Sequence, residues 1–180
     1  MNNIAILELY INLIIYKVII CCFYMQAYNL IDTTNINEAR NQIEKAFKQG
    51  IKAIVVAKDD EFNRKILENK KVDVLLFGDF KGRKDRLKQR DSGLNHVLCK
   101  LAKDNNIAIG LDFSEIKEKT DFVLADYLGR LMQNIKLCSK YKIKIVLFNA
   151  GDKNKHDLFS LLMSLGMPTS TAKYAVDNTF

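Results

Sequence analysis

From residue 28 onward the chain alternates two hydrophobic patterns. Short continuous apolar runs, near 28–31, 53–57, 72–77, 107–113 and 143–148, read as strands covered on both faces. Between them lie segments whose apolar residues recur every three or four positions, as on one face of a helix. Asn35 followed by Glu38 has capping-box spacing. Ile36, Ala39, Ile43, Ala46 and Phe47 then form a stripe that stops at Gly50. A shorter helix is predicted over 61–69, with Phe62 and Ile66 facing inward. Asp91, Ser92 and Gly93 mark another helix start, with Leu94, Val97, Leu98 and Leu101 on its apolar face and Asn105–Asn106 at its end. A long helix follows over 121–141, its apolar face drawn from Phe122, Leu124, Ala125, Leu128, Leu131, Met132, Ile135 and Leu137. Gly129 lowers helix propensity there but permits close packing. Asp157 is expected to cap a helix ending near Leu165, before Gly166 and Pro168, and a last short helix covers 169–176.

Strands separated by helices at short spacing predict parallel βα units, because parallel neighbours need a crossover. Five predicted strands are too few to close an eight-stranded barrel. The expected fold class is therefore α/β, with residues 25–180 as a single domain. Residues 1–24 differ in texture: Glu8, Asn12 and Lys17 interrupt an otherwise apolar run. A spanning helix wants about 20 predominantly apolar residues, and no small-residue cleavage site follows a basic start. Three readings stand: an upstream extension with Met25 as the start, a membrane anchor, or an added core element. The first is preferred, and no membrane association is expected.

Composition changes the picture at one place. The formal net charge of +7 points to an anionic partner, nucleic acid first. A Lys-rich coding bias would scatter basic residues. Here Lys81, Arg83, Lys84, Arg86, Lys88 and Arg90 crowd one loop that leaves the carboxyl end of a predicted strand, where parallel folds gather ligands. The loop runs into a helix start, whose amides and dipole favour anions. The alternative is a merely solvated loop. The four cysteines, Cys21, Cys22, Cys99 and Cys138, show no CxxC spacing, and fit a reducing, cytoplasmic setting with Cys99 and Cys138 as small buried residues. His96 and His156 form no HxH or HExxH pattern, and Asp32, Asp112 and Glu115 are scattered, so neither a metal site nor a catalytic residue is assigned. Ser92 has no Gly-x-Ser-x-Gly elbow around it.

The stretch RDSGLNHVLCKLAKDNNIAIGLDFSEI resembles the signature of ribonuclease P protein component 3, a subunit family of archaeal and eukaryotic ribonuclease P. Arg90, Ser92, Gly93, Leu94, Asn95, His96, Val97 and Leu98, followed by residues 107–113, carry the match. The resemblance implies a TIM-barrel-like fold, here a shortened or incomplete barrel. It also implies a subunit that is not itself catalytic but binds and stabilises the RNA that removes the 5′ leader from precursor tRNA. Its partners would be the ribonuclease P RNA and protein component 2, with precursor tRNA met indirectly. Mg2+ would belong to the RNA, and the chain itself would hold no cofactor. The residues placed on RNA are Lys81, Arg83, Lys84, Arg86, Lys88, Arg90, Ser92, Gly93 and His96. The sequence departs from the family pattern in a lengthened basic loop, a missing Pro-Glu before it and a trimmed C-terminal part. The competing reading is a metal-dependent phosphoesterase on a small βα barrel.

Overall fold

A computed structural model describes residues 28–78, 80, 83–85, 87, 90–117, 121–151 and 154–180. Residues 1–24, with Cys21 and Cys22, lie outside the described residues, as do Lys81, Arg86 and Lys88. Five strands, β1 (Tyr28–Ile31), β2 (Lys52–Val56), β3 (Val74–Phe77), β4 (Ala108–Asp112) and β5 (Ile145–Phe148), form one sheet. Every pairing is parallel and the spatial order is the chain order. The helices are α1 (Ile36–Gln49), α2 (Asp60–Leu67), α3 (His96–Asp104), α4 (Asp121–Tyr141), α5 (Lys155–Ser164) and α6 (Thr169–Asp177). A 3-10 turn, Ser114–Lys117, follows β4. Right-handed crossovers between strands laid down in sequence put successive helices on the same side, as in a βα barrel. The fold is thus α/β with barrel-like winding, and among the described residues the sheet is open.

Two apolar layers follow from the alternation of side chains along the strands. Val55, Leu75, Ile109, Ile145 and Leu147 face the helices and pack with Ile43, Ile66, Leu98, Leu131 and Leu162. Ile54, Val74, Leu76, Ala108, Val146 and Phe148 face the other way and make a smaller cluster. Phe180 lies on that second face. Its ring stacks on Phe148 at 4.9 Å and meets Tyr28 edge-on at 5.6 Å. The backbone beside it pairs with β5, since Phe180 N donates to the Leu147 carbonyl at 2.8 Å.

Local chemistry explains most element boundaries. Asn35 Oδ1 caps α1 by accepting from the amides of Asn37 and Glu38, while Glu38 reaches back to the Thr33 hydroxyl at 2.8 Å. Gly50, at φ 67°, closes the helix in the left-handed region, which suits a residue without Cβ. Three helix starts differ from expectation, two of them because a different oxygen does the capping. Asp59 caps α2, Asn95 rather than Asp91 or Ser92 caps α3, and Asn154 rather than Asp157 caps α5. Some residues assigned to apolar faces are exposed. Phe47 is 58% exposed beneath the Lys71 ammonium, and Phe122 is 91% exposed. Val97 and Met132 also face solvent. Cys99 and Cys138 are buried free thiols, as expected. Burial pushes the Cys99 thiol up to about 12, and pushes Cys138 well above its ordinary value.

Candidate nucleic-acid interface

The loop from β3 to α3 leaves the carboxyl edge of the sheet at Gly78. A Cβ there would lie 2.6 Å from that of Asp112, so only glycine lets the two strand ends approach this closely. Phe80 then anchors the loop. Its buried ring packs against Tyr127 of α4 at 5.2 Å, and the Tyr127 hydroxyl donates to the Asp112 carbonyl. An aromatic contact thereby ties loop, helix and strand end together.

Beyond Phe80 the loop is held by charge. Arg83, whose side chain is 17% exposed, donates to the Lys58 carbonyl at 2.7 Å and pairs with Asp60 at 3.2 Å and Asp91 at 3.3 Å. Asp91 Oδ1 also accepts from the Gly93 amide at 2.9 Å. Gly93 sits at φ 77°, and a Cβ on it would come within 2.4 Å of Arg83 Cζ. The glycine therefore meets two demands, a left-handed turn and a seat for a guanidinium. Arg90 pairs with Asp126 of α4 at 2.7 Å and lies over Gly129, where a Cβ would be 2.8 Å from Arg90 Cζ. The close approach expected at Gly129 is therefore to an arginine of the loop.

Arg130 lies at the centre, with a side chain 5% exposed. It pairs with Asp126 at 2.9 Å and Asp85 at 3.0 Å, and donates to the carbonyls of Arg83, at 3.3 Å, and Asp91. Its planar fork of donors makes such divergent bonding possible. Sequence reasoning missed Arg130 and Asp126. The available signal was their i,i+4 spacing together with the position of Arg130 beside Tyr127, Leu131 and Asn134 on the buried face of α4.

A cavity of about 400 Å³ opens beside this network, lined by Asp60, Arg90, Asp91, Asn95, His96 and Gln133 among others. The described residues expected on RNA are found in four different states. Lys84 and His96 are exposed, and Arg90 is half-exposed within its ion pair. Arg83 is turned into the protein. Ser92 and Gly93 are buried and shape the turn, and Gly93 also lines the cavity. The α3 N-terminus is also less open to anions than expected, because Asn95 Oδ1 occupies the amides of Val97 and Leu98 at 2.9 and 3.0 Å.

A second cavity, about 240 Å³, lies over the other face of the sheet between Asp32, Gly78, Asp112, Phe148 and Asn149. Asp32 pairs with Lys58 at 2.5 Å, and Asp112 accepts from Asn149 Nδ2 at 2.9 Å. Two of the three carboxylates weighed for metal chemistry, Asp32 and Asp112, are thus partnered by an ammonium and an amide, while the Glu115 side chain lies outside those described. Among the described residues no three His, Cys, Asp or Glu side chains are placed to hold a metal ion. No helix among them is long and apolar enough to cross a membrane.

No protein-family model matches the chain. Individual relatives do. Ribonuclease P protein component 3 of Methanococcus maripaludis strain C7 is 28% identical over 148 residues, covering 79% of this chain and 61% of the relative. Component 3 of Methanocaldococcus jannaschii is 30% identical over 118 residues, covering 63% of this chain and 48% of the relative. This chain thus spans less than two thirds of the length of these relatives. Among solved structures, a chain in a cryo-EM structure of archaeal ribonuclease P with mature tRNA superposes with a TM-score of 0.66 at 26% identity. That match covers 83% of this chain and 63% of the other. The motif, the pairwise similarity and the fold agree, and together they relate this chain to ribonuclease P protein component 3.

Proposed function

We propose that the chain is a protein subunit of ribonuclease P that binds and stabilises the catalytic RNA during removal of the 5′ leader from precursor tRNA. The observation that carries this reading is the match of fold and sequence to a chain of the archaeal ribonucleoprotein. The β3–α3 loop is the RNA-facing element. Its exposed cations, Lys84 among them, neutralise phosphate, and each contact adds affinity through counterion release. His96, exposed at the first residue of α3 and lining the larger cavity, lies within reach of the same RNA segment. Cleavage belongs to the RNA and its Mg2+, so no side chain of this protein acts on the scissile bond. Protein component 2 is the expected protein partner, and precursor tRNA is met through the RNA.

Reconstitution tests this. Catalytic RNA and component 2 are assayed for precursor-tRNA cleavage with and without the full chain. Stimulation is expected, and it should weaken in a combined Lys81→Ala, Lys84→Ala, Arg86→Ala and Lys88→Ala variant. Lower salt should restore the variant, because fewer released counterions flatten the salt dependence. No stimulation by the wild-type chain would sink the proposal.

A further inference from the structure

We propose that Arg130 is a positioning residue: it holds the β3–α3 loop in its RNA-ready form without touching RNA. This rests on the functional reading above and deepens it, by separating the cations that hold the loop from those that meet phosphate.

The argument starts from where each charge is spent. Arg83, Arg90 and Arg130 are bonded to Asp60, Asp85, Asp91 and Asp126, so three cations face four carboxylates within the network. Such a set has no surplus positive charge to offer phosphate. It is built to hold backbone in place. Arg130 reaches the loop at three points: the Arg83 carbonyl, the Asp85 carboxylate and the Asp91 carbonyl. Asp85 in turn accepts from the Asp91 amide at 3.0 Å, closing the loop across its neck. Asp126, one turn earlier on α4, holds Arg90 with one oxygen and Arg130 with the other. A rigid helix thus fixes both flanks of the loop. Lys84, between the tied residues Arg83 and Asp85, is left pointing to solvent.

Binding that must first order a loop loses affinity by the cost of that ordering, and a loop already tied down avoids the loss. Arg130 therefore acts on RNA affinity through the loop and leaves the number of phosphate contacts unchanged. Lysine keeps the charge but not the fork that spans two carboxylates and two carbonyls.

The test measures binding of ribonuclease P RNA by the full chain across a salt series, for wild type, Arg130→Lys, Asp126→Asn and Lys84→Ala. Arg130→Lys is expected to weaken binding roughly tenfold, the scale of losing preorganisation at one or two side chains. Its plot of log affinity against log salt should keep the wild-type slope. Lys84→Ala should instead flatten the slope by about 0.7 to 0.9, the value of one phosphate contact. Amide exchange in the free protein should quicken at Arg83, Asp91 and Gly93 in Arg130→Lys. Should that variant lose its fold by circular dichroism, Asp126→Asn carries the same readouts from a half-exposed position. Wild-type affinity in Arg130→Lys, or a slope reduced as in Lys84→Ala, would overturn the inference while leaving RNA binding intact. A wild-type chain that bound no RNA would overturn the functional reading and this inference with it.

Discussion

The helix-covered side of the sheet and the guanidinium that ties down the loop after β3 are both shut away from water, in opposite ways. Behind the sheet, Ile109, Ile145 and Leu147 meet Leu131 and Leu162 with no polar partner required. Under the loop, the buried Arg130 of α4 is matched bond by bond with carboxylates and carbonyls. Apolar burial tolerates small shifts, because its energy follows the area removed from water. A buried ion network does not, because a charge that loses its partner keeps its desolvation cost. The core therefore specifies that the chain folds, and the network fixes the loop at Arg83, Asp85, Arg90 and Asp91.

The largest expected effect lies on the apolar side. Phe113 follows β4, is 1% exposed and belongs to the helix-side cluster. Truncating Phe113→Ala should cost about 3–5 kcal/mol, the usual range for a buried phenylalanine. Urea unfolding of the full chain measures it. A loss below 1 kcal/mol would mean that Phe113 is not packed as described. Raised salt should change this loss little, since no charge is involved.

Gly93→Ala tests the charged side at intermediate size. The residue sits at φ 77°, where an L side chain costs roughly 1–2 kcal/mol. Its new methyl would also displace the Arg83 guanidinium from Lys58, Asp60 and Asp91. A destabilisation of about 2 kcal/mol is expected, together with faster amide exchange at Asp91 and Gly93. A stability unchanged from wild type would mean that the turn relaxes freely, and that Arg83 is not seated on Gly93.

How much of this was legible in the sequence follows the same division. The strands announced themselves because a parallel sheet is covered on both faces, so its strands are unbroken apolar runs such as Val74–Phe77 and Ile145–Phe148. α1 and α2 were readable from their stripes. α4 was found with its observed ends and part of its inner face: Leu131 and Ile135 are buried and Leu128 and Leu137 pack on the core, but Tyr127, Arg130 and Asn134 were not foreseen there. It carries apolar residues around much of its circumference, and the choice of inner face was made by Tyr127 and Arg130, which bind the loop. Phe122 is left outside for that reason. The basic cluster was visible as a composition, but composition does not say which cation finds a carboxylate. Arg83 and Lys84 are neighbours in sequence, yet one is turned inward and the other outward. Partners that decide this, Asp60 for Arg83 and Asp126 for Arg90, come from helices distant in the chain.

The smallest effect is the most discriminating between the two kinds of burial. Gly129 lies inside α4, where alanine is favoured over glycine by about 1 kcal/mol. A methyl at this position would meet the guanidinium of Arg90, the far end of a flexible side chain on a half-exposed residue, and no backbone. The arginine can swing away. Gly129→Ala is therefore expected to leave thermal stability level or slightly raised while breaking the Arg90–Asp126 pair, which at this exposure contributes little to folding. If the flank of the loop depends on that pair, amide exchange around Arg90 and Asp91 should quicken even as the melting temperature holds. A clear fall in melting temperature would instead show that Arg90 cannot move, and that this flank is packed as tightly as the core behind the sheet.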